Sequence, residues 1–156
     1  MRRAHRIASI VLLWLAPLSC ASHAQPASVP PPPEPPFLAP CPSAPHCVSS
    51  LATDAEHHVE PLQVRGDPAH AMAELRRIVE SMPRSRIVAA SPTALRAEFT
   101  SRIFRFVDDV DLQLDGRVVQ IRSASRSGYS DLGVNRHRVE AIRRAFASQP
   151  ASDQSP

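Results

Sequence analysis

Apolar and polar residues alternate through the middle of the chain in the pattern of a half-buried β-strand. From residue 104 to residue 114 the apolar residues share one parity, namely Phe104, Phe106, Val110, Leu112 and Leu114, and polar residues dominate the other. Asp115-Gly116 follows with the residue types of a two-residue hairpin turn, and a return strand is predicted from residue 117 to about residue 126. With this loop, the register places Leu112 opposite Val119, Val110 opposite Ile121, Asp108 opposite Ser123, Phe106 opposite Ser125 and Asp109 opposite Arg122.

Two helices and several shorter strands are predicted around this hairpin. One helix follows Asp67 as its N-cap and Pro68, and keeps helical spacing of apolar residues as far as Pro83. The other runs from Asn135, a favourable N-cap, to Ala147. Short strands are predicted at residues 61–64, 86–90 and 95–99. Together these elements predict a single α+β domain over residues 41–149, with a mainly antiparallel sheet of about four strands and two helices packed on one face.

The first 40 residues predict export and a tether. Three arginines precede an apolar run of about a dozen residues, which is too short for a stable membrane-spanning helix. Ser22-His23-Ala24 offers the small residues that a signal peptidase requires, so residues 1–24 are interpreted as a signal peptide. Lipidation at Cys20 and a retained transmembrane helix are the alternatives. The proline-rich residues 25–40 predict an extended linker, and residues 150–156 a disordered tail.

Charge and composition exclude several classes of function. All 18 basic residues are arginines, and three belong to the predicted signal, so 15 arginines face 15 acids in the rest of the chain. This balance, with few aromatic residues, argues against a nucleic-acid partner. The absence of lysine excludes Schiff-base chemistry, and four glycines leave no room for a glycine-rich phosphate loop. The predicted location is the periplasm or cell envelope, with membrane contact only through the signal or a lipid anchor.

Two cysteines remain in the predicted mature chain, because Cys20 is either removed or acylated. An oxidising compartment favours a disulfide between Cys41 and Cys47. In the chain-entropy model such a small ring contributes about 2 kcal/mol. Free thiols and a metal site are the alternatives, although no C-x-x-C spacing is present.

The predicted register isolates one carboxylate. Asp108 shares the apolar row of its strand, with Ser123 and Ser125 beside it. A buried carboxylate without a partner costs several kcal/mol, so Asp108 must be paired, protonated or placed at an opening. Two interpretations are open: a β-bulge at Asp108-Asp109 that turns both side chains outward, or a polar pocket at this end of the hairpin.

Arg136 and Arg138 lie in the first turn of the predicted second helix, where the helix dipole already places positive charge. A nearby anion, whether Asp131, Asp108 or a bound ligand, would compensate them, and solvated surface arginines are the alternative. Arginine binds carboxylate or phosphate groups, and serine and asparagine add neutral hydrogen bonds. The candidate ligand-binding residues are Asp108, Arg122, Ser123, Ser125, Arg126, Tyr129, Asp131, Asn135, Arg136 and Arg138.

Three stretches of the chain resemble a known family. They are residues 41–50 (CPSAPHCVSS), 104–110 (FRFVDDV) and 122–136 (RSASRSGYSDLGVNR). In this order they are similar to the bacterial and plastid family catalogued as domain of unknown function 1499, with His46 as a small departure. The resemblance covers residues 41 to about 146. It implies that the two cysteines, the Asp pair and the loop from Arg122 to Arg136 are hallmark features, and it brings no reaction or ligand.

The favoured hypothesis is a non-catalytic binding or structural module of the envelope, whose polar site holds a small anionic ligand or contacts another envelope component. Its main rival is a closed network in which the same groups satisfy one another. A hydrolase is the alternative, with Asp108 and Asp131 as an acid/base pair or Ser125 and His137 as nucleophile and base. Residues 54–60, with His57 and His58, contain metal-ligand types without a metal-binding spacing. No cofactor is expected.

Overall fold

The structure, a computed structural model, describes residues 38–149. The predictions for residues 1–37 and 150–156, among them the signal peptide, lipidation at Cys20 and the tail, lie outside these residues. In chain order the elements are β1 (Cys47–Ser49), β2 (Leu62–Gln63), α1 (Pro68–Ser81), β3 (Ser85–Ala90), β4 (Ala94–Thr100), β5 (Val107–Asp115), β6 (Val118–Ser125) and α2 (Val134–Ala147). No helix within this range is long and apolar enough to cross a membrane.

The described strands form one antiparallel sheet. Its order is β1-β6-β5-β4-β3, and β2 pairs with the other half of the same edge of β6. The α+β class and the antiparallel sheet are confirmed, but the expected number of about four strands is wrong, because the sheet has six. β1 and β2 are three and two residues long. Such short segments carry too little alternation for a periodicity argument to count them reliably.

The β5–β6 hairpin differs from its predicted register by two residues. The observed pairs include Leu112 with Ile121, Val110 with Ser123, Asp108 with Ser125, Asp109 with Ala124 and Asp111 with Arg122, so the five predicted pairs are wrong. The loop consists of Gly116 and Arg117, since Asp115 pairs with Val118, and Gly116 adopts a φ of 58°. Glycine thus occupies the first loop position rather than the second. Moving the loop by one residue shifts each pair by two, so the inward-facing side chains of the strands are unchanged.

Residues 101–106 form a loop and not the beginning of β5. Thr100 pairs with Val107, so the chain must reverse between them. Ser101 closes this loop, because its backbone N–H donates to the Phe106 carbonyl (2.8 Å) and its hydroxyl oxygen accepts from the Phe106 N–H (2.9 Å). Phe104 and Phe106 are therefore displaced from the row predicted to face inward, and they are 74% and 49% exposed.

Both helices pack on the same face of the sheet, as predicted. Asp67 caps α1 by accepting from the backbone N–H of His70 (2.8 Å), and Pro68 is its first residue. The fully buried core joins the two helices to the central strands; its residues include Leu75, Val79, Val110, Leu112, Val119, Ile121, Val139 and Ile142. Among residues 38–149, this core and the strand pairings join both helices and the described strands into one packed unit.

Candidate functional site

Asp108 faces inward and is paired with an arginine of α2. Its carboxylate accepts a hydrogen bond of 2.6 Å from Arg138, and the two side chains are only 7% and 10% exposed. The guanidinium carbon of Arg138 also lies 4.7 Å from the centre of the Phe99 ring. The pairing of β5 with both neighbours is continuous across Asp108 and Asp109, so the interpretation as a β-bulge is wrong.

Two serines and an asparagine complete this buried group, which we call the inner network. Its members are Asp108, Ser123, Ser125, Asn135 and Arg138. Asn135 Oδ1 accepts from Arg138 and from the Ser123 hydroxyl, both at 2.6 Å. Asn135 Nδ2 donates to the Ser125 hydroxyl (3.0 Å) and to the carbonyl of His46 (2.9 Å). The inner network thus connects β5, β6, α2 and the residue that precedes β1.

Asp131 supplies the anion expected at the start of α2. Its two carboxylate oxygens accept from the backbone N–H groups of Gly133 (2.9 Å) and Asn135 (2.7 Å). The N-cap residue itself is Gly133, with a φ of 82° and no side-chain hydrogen bond. The prediction of Asn135 as the N-cap is therefore wrong: Asn135 lies inside the helix, where its side chain serves the inner network.

Two of the predicted site arginines lie on the opposite face of the sheet. Arg126 donates to Asp109 (2.8 Å) and to Glu98 (2.6 Å), and Asp109 and Glu98 both raise its pKa. Burial raises the pKa of Glu98, but hydrogen bonds from Arg126 and Arg86 outweigh burial and hold it below the ordinary value. Arg126 therefore neutralises strand carboxylates and does not join the inner network.

Arg122 lies on the same outer face, across from Asp111. Its Nη1 atom is 3.8 Å from an Asp111 oxygen. Among the buried polar side-chain atoms of residues 38–149, its Nε has no hydrogen-bond partner. Burial lowers the pKa of Arg122 against the opposing influence of Asp111. Burial likewise raises the pKa of Asp111, although Arg96 donates to it at 2.6 Å.

The two remaining candidates, Arg136 and Tyr129, bond to groups outside the inner network. Arg136 donates to the backbone carbonyls of His58 (2.8 Å) and Glu56 (2.6 Å), and so fastens the segment before β2 to α2. Tyr129 is 78% exposed, and only its carbonyl is engaged, by the ring of His46 at 3.3 Å. The structure therefore brings five of the ten candidates into one hydrogen-bonded group, with Asp131 beside them, and places the other four elsewhere.

The polar side-chain atoms of the inner network have partners within the chain. Four cavities among residues 38–149 are lined by other segments and by none of the ten candidates. One of about 180 Å³ lies between β2, α1 and α2, beside Leu62, Glu74 and Phe146. The hydrogen bonds within the inner network favour the closed network over the ligand-binding hypothesis, and both stay predictions.

The pairs named for hydrolysis are not joined. Ser125 accepts from Asn135, and no hydrogen bond within residues 38–149 links it to His137. Asp108 and Asp131 are each held by other groups, Arg138 and the backbone of α2.

Outside the inner network, Cys41, Cys47, His57 and His58 each have a bonding partner within the described residues. Cys41 and Cys47 form the predicted disulfide, with an S–S distance of 2.07 Å. The His57 ring is bonded to the Asp54 carboxylate at 2.7 Å, which raises the pKa of His57, and His58 Nδ1 lies 2.9 Å from the Ala52 carbonyl. Within the described range no group of three His, Cys, Asp or Glu residues can hold a metal ion.

A surface that the sequence argument missed lies at the end of the sheet nearest the inner network. We call it the loop tip, and define it as five exposed apolar residues of the 101–106 and 126–133 loops: Ile103 (77% exposed), Phe104 (74%), Phe106 (49%), Tyr129 (78%) and Leu132 (89%). Both loops leave the same end of the β5–β6 pair, where the Arg126 N–H donates to the Val107 carbonyl (3.0 Å). The Phe104 and Phe106 rings stack at 5.7 Å.

A basic cleft adjoins the loop tip. It has a volume of about 310 Å³ and is lined by four arginines, Arg84, Arg86, Arg102 and Arg105, against one carboxylate, Glu98. The signal for this surface is present in the sequence, since Arg102 and Arg105 lie among Ile103, Phe104 and Phe106 and no acid intervenes. The spacing of Phe104 and Phe106 also fits a strand, and the loop closure between Ser101 and Phe106 excludes that interpretation.

The comparisons with known proteins assign the chain to a family without a reaction. A protein-family model described as "Protein of unknown function (DUF1499)" matches residues 37–146. This match spans well over half of the chain and contains all ten candidate residues. No curated protein matches the sequence.

Proposed function

The chain belongs to the DUF1499 family, a protein of unknown function, and from its geometry we propose that it is an exported, non-catalytic docking module of the cell envelope. In this proposal the loop tip is the contact surface, the inner network and Asp131 hold the 126–133 loop, and Ser101 closes the 101–106 loop. The observation that carries the proposal is the contrast between them: the polar groups beneath are bonded to one another, while five large apolar side chains above them face solvent.

Exposed apolar patches of this kind mark interaction surfaces. Single surface leucines or phenylalanines are common and need no explanation. Five large apolar side chains on two adjacent loops, rimmed by arginines, are the arrangement found at protein or membrane contact sites. Exposing them in water without a partner would only lower solubility, so the pattern favours docking.

The inner network explains how the loops are held. Asp131 binds the backbone at the start of α2, and Asn135 binds the carbonyl of His46, whose ring in turn reaches Tyr129. Each end of the 126–133 loop is therefore fixed by hydrogen bonds. A small anionic ligand at these residues stays a prediction, and the geometry supports it less, because their donors are already engaged.

Site-specific photocrosslinking in intact cells tests this proposal on the full chain. Benzoylphenylalanine replaces Phe104 in the loop tip, and in a matched variant it replaces Leu51, which is 55% exposed in the segment after β1. We expect a protein or lipid adduct from position 104 and none from position 51. Adducts at equal yield from both positions, or none from position 104, would refute docking through the loop tip.

A further inference from the structure

The loop tip carries positive charge that no residue of the domain neutralises. Arg102 and Arg105 are exposed between the apolar side chains, and neither forms an ion pair within residues 38–149. The nearby carboxylates are engaged elsewhere: Asp131 accepts from backbone N–H groups at the start of α2, and Asp109 accepts from Arg126. The surface that projects from the sheet is therefore apolar and cationic.

The basic cleft lies directly beside this surface and is lined by four arginines and one carboxylate. Its only carboxylate, Glu98, already accepts from Arg86 (2.5 Å) and Arg126 (2.6 Å). Arg84 uses its Nε on the carbonyl of Thr100 (3.0 Å) and leaves its other guanidinium nitrogens without a partner among the described residues. A phosphate group is the natural complement of several arginine guanidinium groups that converge on one cleft.

Two exposed residues of these loops have a left-handed backbone conformation. Arg105 and Leu132 have φ values of 59° and 55°, in the left-handed region that residues with a Cβ rarely adopt. Leu132 is also the most exposed of the apolar residues, at 89%. Strain of this kind persists where the surrounding structure enforces it, and it is concentrated at functional positions.

We propose that the loop tip docks on an anionic phospholipid surface, with a lipid phosphate in the basic cleft and the apolar side chains in the interfacial layer. This inference rests on the proposed docking function and names its partner. Aromatic and aliphatic side chains beside arginines match the boundary between headgroups and acyl chains, and arginines near an anionic surface add electrostatic attraction. The charge favours a lipid surface as the partner, because Arg102 and Arg105 are exposed and form no ion pair within residues 38–149.

Vesicle flotation of the chain from Gln25 to Pro156 tests the proposal. This segment is the predicted mature chain; it contains all of residues 38–149 and omits the apolar run of the predicted signal. We expect binding to vesicles that contain phosphatidylglycerol, weaker binding at high salt, and little binding to pure phosphatidylcholine. Ile103→Ser with Phe104→Ser should weaken binding at least about tenfold, and Arg102→Gln with Arg105→Gln about 25-fold on the anionic vesicles alone.

Matched variants and a fluorescence readout make the test specific. Arg65→Gln with Arg117→Gln removes two exposed charges away from the loop tip and should leave the partition coefficient within about twofold of wild type. The only tryptophan of the chain is at position 14, so Phe104→Trp gives this segment a single fluorophore. Its emission should shift to shorter wavelength on anionic vesicles, whereas Leu51→Trp should show no shift.

Three results would overturn the proposal. One is no binding of the wild-type chain to anionic vesicles. Another is undiminished binding by the loop-tip variants. The third is thermal stabilisation by inorganic phosphate without vesicle binding, which would assign the cleft to a free anion.

Crosslinking at position 104 to protein alone, combined with no vesicle binding, refutes the lipid surface but keeps the docking function. The absence of any adduct at position 104 refutes both.

Discussion

Replacing Asp108 by asparagine should destabilise the domain by about 3 kcal/mol. The side chains of Asp108 and Arg138 are 7% and 10% exposed, so the substitution leaves a buried guanidinium without its counter-ion. Breaking a buried pair by removing one partner costs about 3–5 kcal/mol. Arg138 keeps its contacts with Ser123, Asn135 and the Phe99 ring, which is why we expect the lower end of that range.

Urea denaturation of the Gln25–Pro156 chain measures this loss as a change in the free energy of unfolding. The matched control is Glu80→Gln, which breaks an ion pair with Arg76 whose side chains are 44% and 47% exposed. An exposed pair of this kind contributes little, so the control should change stability by about 0.5 kcal/mol or less. A double variant, Asp108→Leu with Arg138→Met, removes both charges and should be more stable than Asp108→Asn.

The reasoning fails on either of two results. A loss below about 1 kcal/mol for Asp108→Asn would mean that water reaches Arg138, and that the inner network is an open site after all. A double variant less stable than Asp108→Asn would show that the charges do more than neutralise each other. Only the first result would restore support for the small anionic ligand, because the second would show that Arg138 stabilises the domain through its other contacts.

Three further predictions concern other parts of the domain. The hydrogen bond that His57 donates to the Asp54 carboxylate raises the pKa of His57, so an NMR titration should give a pKa above 6.5, and Asp54→Asn should lower it. The stabilisation from His57 should be complete below pH 6.5 and disappear as the pH rises through the raised pKa. An unchanged pKa of His57 in the variant would contradict this. Reducing the bond between Cys41 and Cys47 should lower the free energy of unfolding by about 2 kcal/mol, measured in urea with and without reductant, and an unchanged midpoint would show that the ring adds nothing. Gly116→Ala should lower the free energy of unfolding by about 1 kcal/mol because residue 116 has a φ of 58°; no atom lies within 4 Å of the new Cβ, so the cost comes from the backbone. Gly116→Asn should lower it less, because asparagine tolerates a positive φ better than alanine. Equal losses for the two variants in urea denaturation would rule out a backbone origin.

Local chemistry was enough to predict both helices and the core. The cap at Asp67 and the helical spacing of apolar residues placed α1 within a residue or two of its observed bounds. The alternation from Val110 to Leu114 identified which face of β5 is buried. Asp108 was singled out correctly as the polar group in an apolar row, because a violation of the pattern is itself visible in the sequence.

The errors have different physical origins. Moving the hairpin loop by one residue shifts each pair by two and leaves the inward-facing side chains unchanged, so alternation along the strands could not choose between the two loops. Asn135 has the residue type of an N-cap, but His46, 89 positions away, holds its side chain in the inner network. Phe104 and Phe106 fit the period of a strand, and only the end of β4 at Thr100 excludes them from the sheet.

The disulfide ring has a consequence for the timing of folding. Its His46 carbonyl accepts from both the Ser125 N–H and Asn135 Nδ2, each at 2.9 Å, so the covalent ring holds the acceptor on which the 126–133 loop and the start of α2 are fastened. In the exported chain that the sequence predicts, Cys41 and Cys47 stay reduced until the chain reaches an oxidising compartment. If the chain is exported as predicted, the ring that positions the His46 carbonyl would close only after translocation, so the 126–133 loop and the start of α2 would gain this constraint outside the cytoplasm.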